Sequence, residues 1–380
     1  MRDARLFLSA AAAVLLLGGC YEAAEVPAAE GVAEATPAAV EQGVTQVAHE
    51  TAPAPFTVTP SANPEAQAID KAEFLADGTL DAAAAKHLMI KLQVLLDRAH
   101  FGPGVIDGQA GENVRQAIAA LEKAHGLPED GKLDAGVWTK LTGADTQGVM
   151  TDYVITEEDV AGPFLEKIPA KYDQMAKLDR LSYTSVAEML AEKFHMDEKL
   201  LKALNPEADF TKAGTSLIVA APGAGDLGAE VTLVEVDKEE REVRAYAGER
   251  LVAVYPATVG SSDMPTPEGE WEVTAVAFEP VWNYDPAKLN FGDKKLGKLT
   301  IPAGPNNPVG SVWIDLSKDT YGIHGAPEPS KVGKTASHGC VRLTNWDARA
   351  LGRAVKKGTK VVFVGAGSES GTRAAASSAT

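Results

Sequence analysis

The chain has 380 residues, more than one ordinary hydrophobic core accommodates and enough for two or three domains. Its 53 acidic against 36 basic side chains leave a formal net charge of -17, which argues against nucleic acid as a partner because phosphate binding needs a basic surface. A hydrophobic content of 45% is that of a globular protein, inflated somewhat by alanine-rich stretches.

Residues 1–19 read as an export signal: Arg2 and Arg5 give a basic start, residues 6–17 a short apolar run, and Leu17-Gly18-Gly19-Cys20 closes it. The run is too short to span a bilayer as a stable helix, which favours a processed signal over a transmembrane segment. Its ending resembles the lipobox of bacterial lipoproteins, in which the cysteine becomes the acylated N-terminus. That resemblance implies lipidation at Cys20 and a periplasmic, membrane-anchored protein; Tyr21, not being aspartate, points to the outer membrane. Residues 20–80 are rich in Ala, Pro, Glu, Val and Thr, with prolines at 27, 37, 53, 55, 60 and 64 and no amphipathic period. A segment so poor in apolar surface does not offset its ordering entropy, so a disordered tether is expected.

Residues 81–145 carry helical periodicity. Leu88, Leu92 and Leu95 recur at helix spacing, as do Val114, Ile118 and Leu121, and Asp134 opens a third short helix with Val137 and Leu141. Two turn dipeptides, Asp107-Gly108 and Asp130-Gly131, are each followed by a valine at the same spacing, a small internal repeat. The pattern is similar to the three-helix peptidoglycan-binding module of wall enzymes. Residues 165–222 hold a helix capped by Ser185, a second capped by Asp197 and ended by Asn205-Pro206, and a short strand over 214–219. With Leu181-Ser182-Tyr183-Thr184 as opening strand, this order resembles a LysM domain, which implies binding to glycan.

Residues 229–365 are mostly strands: runs at 233–236, 243–246, 251–259, 269–278 and 311–315 alternate with turns as in an antiparallel meander, before a helix over 346–355 and a strand over 361–364. Residues 366–380 are mostly Ser, Ala and Gly and read as a disordered tail. The expected architecture is multidomain, with small all-α modules followed by a mostly-β sandwich.

The chemistry concentrates in Ser337-His338-Gly339-Cys340-Val341-Arg342-Leu343 and the Ile323-His324-Gly325 before it. Cys340 is the only cysteine besides Cys20, and with Cys20 lipidated it has no intramolecular partner. An unpaired thiol in an oxidising compartment makes sense as a nucleophile, which needs a base because few thiols ionise at neutral pH. Two histidines are available, His324 and His338, and spacing alone does not choose between them. A cysteine buried as a small hydrophobe would sit among apolar neighbours, whereas these are glycines and acid–base groups. No set of residues has zinc-site spacing, so neither metal nor cofactor is expected.

These motifs resemble the signature of the L,D-transpeptidase catalytic domain, which cross-links bacterial peptidoglycan. Thr266-Pro267-Glu268-Gly269, Pro308-Val309-Gly310, Asn345 and Asp347 add to the likeness, which covers the last third of the chain. The resemblance implies Cys340 as nucleophile and His324 as general base and acid, its other ring nitrogen oriented by Ser337 or the backbone near Gly325. It implies His338 in the oxyanion site with the N–H groups of Gly339 and Cys340, and substrate binding by Arg342, which otherwise pairs with Asp347, and by Gly325. Tyr321, Trp282 and Asn283 line the cleft or belong to the core, and His87, His100, His125 and His195 read as surface or internally satisfied groups. The implied reaction is acyl transfer: Cys340 attacks the third residue of a tetrapeptide stem, D-alanine leaves, and an amine resolves the thioester into a 3-3 cross-link. The expected partners are peptidoglycan stem peptides and glycan, with a lipoprotein as an alternative acceptor. A monomer is expected. Attachment or hydrolysis of a wall-linked lipoprotein by the same site, a cysteine peptidase, and an inactive peptidoglycan anchor are the competing readings.

Overall fold

The computed structural model of the protein describes residues 44–45, 58–76, 78–289 and 291–365. The export signal, Cys20 and the C-terminal tail lie outside the described residues. Among the described residues no helix is long and apolar enough to cross a membrane.

The expected tether is not structureless throughout. Strand β1 (Val44–Thr45) pairs antiparallel with residues 281–282, and helix α1 (Pro64–Asp70) forms inside the same stretch. Its sequence explains it: the Asn63 side chain accepts the Glu65 N–H at 2.8 Å, Pro64 at the first position presets the backbone, and Ala66 and Ile69 are fully buried. Low overall hydrophobicity concealed one well-placed isoleucine. Ile69→Ala is expected to cost about 2–4 kcal/mol of stability, read as a lower denaturation midpoint; in an unstructured tether the same change would cost nothing.

Helices α2 (Ala82–Arg98), α3 (Glu112–His125) and α4 (Ala135–Ala144) are the three expected from periodicity. Asp81 and Asp134 cap the first and third, and Gly126, at φ +65°, closes the second in the left-handed conformation that glycine adopts without strain. The internal repeat has a structural meaning. Gln93 Oε1 accepts the N–H groups of Asp107 and Gly108 at 3.1 and 2.8 Å, and Glu122 Oε2 accepts those of Asp130 and Gly131 at 2.9 and 2.8 Å. One side chain of the preceding helix therefore satisfies each Asp-Gly turn.

The next unit differs from expectation at its start. Leu181-Ser182-Tyr183-Thr184 is not a strand; the opening strand is β2 (Met150–Val154), which pairs antiparallel with β3 (Ser216–Ala220) around helices α7 (Val186–Lys193) and α8 (Glu198–Leu204). Asn205 ties the helices to the strand, donating to Leu201 O and Ile218 O and accepting the Ile218 N–H at 2.8 Å. Two short helices, α5 (Glu157–Ala161) and α6 (Tyr172–Met175), lie in the insertion between β2 and α7. The two N-terminal modules share a core: Leu92, Leu96, Ile106, Leu190, Leu201 and Leu217 belong to one buried cluster. The boundary expected between residues 145 and 165 falls within this single hydrophobic unit, because neither module alone covers its apolar face.

The C-terminal half is mostly β, as its alternating runs require. Eight strands form one sheet in the order β12-β11-β10-β7-β13-β4-β5-β6. They are β4 (Leu233–Asp237), β5 (Glu242–Ala247), β6 (Arg250–Pro256), β7 (Gly269–Phe278), β10 (Val312–Leu316), β11 (Gly322–His324), β12 (Val341–Arg342) and β13 (Lys360–Val364). The expected meander holds for β4 to β6, but β13 inserts beside β4 in parallel, and β12 runs parallel to β11. The sheet curls until its two ends touch: beyond β6, Thr258 exchanges both backbone hydrogen bonds with Arg342 of β12, each at 2.9 Å. Closure of this kind leaves less edge for unwanted strand pairing. Helix α9 (Asn345–Ala354), capped by Thr344, packs on β10 and β7, and β8 (Val281–Tyr284) and β9 (Leu299–Ile301) form a small sheet with β1.

Candidate active site

Strands β11 and β12 deliver the reactive side chains. Their parallel register pairs Ile323 with Val341 and His324 with Arg342. Because strand side chains alternate, Ile323, Val341 and Leu343 enter the core while His324, Cys340 and Arg342 share the other face. The alternation Cys-Val-Arg-Leu is thus an ordinary half-buried strand pattern whose polar positions face away from the core. All three residues line one cavity of about 420 Å³, with His338 also on its wall.

One step back along the same register, Gly322 faces Cys340. A Cβ at Gly322 would meet the Trp313 ring at 2.6 Å, and that ring stacks on His324 with centroids 5.4 Å apart. Gly322→Ala is expected to lower stability by about 1–3 kcal/mol through this overlap, measurable by chemical denaturation.

His324 is 3% exposed, and its Nδ1 lies 2.7 Å from the Gly325 carbonyl oxygen. A carbonyl only accepts, so Nδ1 carries the proton and Nε2 is left with the lone pair. Burial, with the Arg342 charge second, pushes the imidazole down to about 3, while the carbonyls of Gly325 and Val309 pull the other way. The ring is therefore neutral at physiological pH. Burial holds the Cys340 thiol above its ordinary value, with the Gly322 backbone and Arg342 acting in the opposite direction, and Sγ sits 3.7 Å from Thr320 O. The resting pair is thiol plus neutral imidazole.

His338 is exposed and stacks on Phe291 at 4.4 Å. Ser337 does not reach His324. Its hydroxyl donates to Cys340 O at 2.5 Å and accepts the Gly339 N–H at 3.1 Å, bracing the cysteine turn from within. The Gly339 N–H is consequently engaged, which corrects its expected place in an oxyanion site. Gly339 itself is needed for its backbone, at φ +122° with Tyr321 Cε1 2.9 Å from where a Cβ would stand. Thr266 braces the same turn from outside, donating to Gly339 O at 2.8 Å and accepting from Gly260 N at 2.7 Å.

Gly325 is buried and does not line the cavity, contrary to its expected part in substrate binding. A Cβ there would lie 2.2 Å from Asn345 Oδ1, and the residue's carbonyl holds His324. Asn345 Oδ1 also accepts the Ser311 N–H at 2.9 Å, and Nδ2 donates to both carboxylate oxygens of Glu192 at 3.1 Å. Glu192 belongs to α7 and is pushed up to about 7 by burial. A carboxyl group from the N-terminal half thus supports the turn that carries His324, a connection across 153 residues that no local motif signals.

Arg342 does not pair with Asp347, which accepts from the Thr344 hydroxyl at 2.6 Å and is pushed up to about 7 by burial. Buried Nε of Arg342 has no hydrogen-bond partner among the described residues. Trp282, Asn283 and Tyr321 line the cavity, and so does Tyr172, which the sequence did not single out. Outside the site, His195 meets Asp97 at 2.9 Å and stacks on Trp346, and His87 meets Glu65 at 2.9 Å, so both are internally satisfied. Among the described residues no group of three or more His, Cys, Asp or Glu is placed to hold a metal ion.

Two family models match the chain: an L,D-transpeptidase catalytic domain over residues 232–363 and a putative peptidoglycan binding domain over residues 87–141. The putative L,D-transpeptidase YkuD of Bacillus licheniformis is 32% identical over 176 residues, which cover 46% of this chain and 90% of that protein. The putative L,D-transpeptidase YqjB of Bacillus subtilis is 33% identical over 136 residues, 34% of this chain and 69% of that protein. Among solved structures, the L,D-transpeptidase from Mycobacterium smegmatis aligns over 41% of this chain and 64% of its own, at 23% identity and a TM-score of 0.30, a likeness too slight to add to the sequence match.

Proposed function

Because the chain belongs to the L,D-transpeptidase family of cell-wall enzymes, we propose that its reaction is acyl transfer from a peptidoglycan tetrapeptide stem through a thioester on Cys340. The observation that carries this is the convergence of Cys340, His324 and Arg342 on one cavity from two adjacent strands. Cys340 Sγ attacks the carbonyl carbon of the third stem residue as its proton passes to His324 Nε2. The tetrahedral intermediate collapses with cleavage of the C–N bond, and the imidazolium returns that proton to the departing D-alanine amine. An acceptor amine then attacks the thioester, giving its proton to His324, which restores it to the leaving sulfur. Burial favours this order over a preformed ion pair, because separating charge in the resting site costs more than moving a proton during attack.

Arg342 offers a guanidinium to a substrate carboxylate, and Ser337 and Thr266 keep the cysteine turn in place while bonds change. Membership of the family puts the enzyme outside the cytoplasm, at the wall. An acylated Cys20 anchoring it to the outer membrane is part of the same proposal.

The test is intact mass spectrometry of the whole chain with disaccharide-tetrapeptide. A thioester on Cys340, released D-alanine and a cross-linked dimer would support transfer between stems. An adduct with D-alanine release but no dimer would redirect the proposal to hydrolysis or a lipoprotein acceptor. Absence of any adduct, with tight binding to sacculi, would replace it with a non-catalytic anchor.

A further inference from the structure

The cavity around Cys340 is not built by the catalytic domain alone. Tyr172, which opens α6, lies sixty residues before the matched catalytic segment begins at 232, yet it lines the same cavity as Cys340 and Arg342. Its position is fixed by its neighbours rather than by chance contact. The ring meets Trp282 edge-on at 5.2 Å and Tyr284 at 4.9 Å. Met175 and Leu181 of the same insertion are buried with Trp282, Tyr284 and Ile301 in one cluster. Backbone bonds stitch the insertion down: Leu181 N–H donates to Ala303 O at 2.9 Å, and Leu181 O accepts from Asn306 N at 3.0 Å. Gly304 permits this approach, since a Cβ there would stand 2.2 Å from Leu181 O.

Two hydrogen-bond donors in this cavity wall lack an acceptor among the described residues. Buried Arg342 Nε has none. The Tyr172 hydroxyl forms no hydrogen bond either, although the Arg342 charge is near enough to pull its phenol down against the upward push of burial. Arg342 and Tyr172 line one cavity, and a guanidinium with an unpaired nitrogen beside a phenol suits an anionic oxygen acceptor.

We propose that Tyr172 is a substrate-binding residue supplied from outside the catalytic domain, and that with Arg342 it receives the C-terminal carboxylate of the donor stem peptide. This rests on the acyl-transfer reading above and adds to it the recognition of the donor end. Arg342 lies two residues from Cys340 on the same strand face, and the stem's terminal carboxylate lies one residue beyond the scissile carbonyl, so the two distances are of the same order. Specificity for a stem ending in a free carboxylate is then written partly in the insertion between β2 and α7.

The test measures binding without turnover. Calorimetry on the full chain carrying Cys340→Ala, with and without Tyr172→Phe, compares a tetrapeptide stem with the same peptide ending in a carboxamide. Loss of one hydrogen bond to a charged group predicts that Tyr172→Phe weakens binding of the free acid by about tenfold or more. The carboxamide is expected to bind weakly and equally to both proteins. Phenylalanine keeps the ring and its edge contacts, so misfolding does not confound the comparison. Equal affinity of the two proteins for the free acid would overturn the proposal, as would an equal loss for acid and amide. Thioester formation by the otherwise wild-type chain tests the acyl-transfer reading separately, so failure of one is distinguishable from failure of the other.

Discussion

Cys340→Ala is expected to abolish thioester formation and to lower D-alanine release by at least about 10⁴-fold, the scale on which loss of a covalent nucleophile acts. The side chain is half-buried, packed at the edge of the cluster around Trp282 and Trp313 with sulfur 3.7 Å from Thr320 O, so its removal leaves only a small space. Stability should change by no more than about 1–2 kcal/mol, and affinity for the stem peptide should persist because Arg342 remains. Mass spectrometry and calorimetry together check this. An alanine variant that still carried acyl groups would move the nucleophile elsewhere.

His324→Ala is expected to lower turnover by about 10²–10⁴-fold, the usual contribution of a positioned general base. His338→Ala should cost far less, within about tenfold, because that ring is exposed and bonded to no reacting group. The comparison decides what spacing left open. The pH profile adds a second test. An ordinary histidine titrates near 6.5, which would impose an acid limb there; burial and Arg342 push His324 down to about 3, so turnover through this base should hold well below pH 6. For stability the sign follows from linkage: the unfolded chain takes up a proton near 6.5 that the folded site refuses until about 3. The His324 contribution is therefore complete above about pH 6.5 and is lost as pH falls from there toward 3. Denaturant midpoints at pH 4 and 7 should differ less in His324→Ala than in the parent chain.

Much of this was legible in the residues. Helices α2 to α4 follow leucine and valine spacing bounded by aspartate caps, and the catalytic strands follow the alternation of Ile323, Val341 and Leu343 with polar partners. What escaped was long-range. The strand opening the second module lies at 150–154 rather than 181–184, because the intervening insertion leaves to cover the aromatic face around Trp282. Tyr172 and Glu192 reach the site through such packing, and no period or motif marks them. The family resemblance gives Gly325 to substrate binding and Gly339 to the oxyanion site, whereas close approach of Asn345 and Tyr321 is what requires glycine there. Neighbourhood in sequence led to a turn that borders the cavity but not to which of its atoms point there.

The meeting of the two sheet ends at Thr258 and Arg342 gives the catalytic turn an unusual mechanical status. Cys340 immediately precedes the strand that latches the curled sheet, so local unzipping at this seam would displace the proposed nucleophile and expose sheet edge in the same motion. The amide protons of Thr258 and Arg342 should therefore exchange with solvent on one shared timescale. A chain opened at the latch would separate Cys340 from His324 and Arg342, the residues that share its face of the closed sheet.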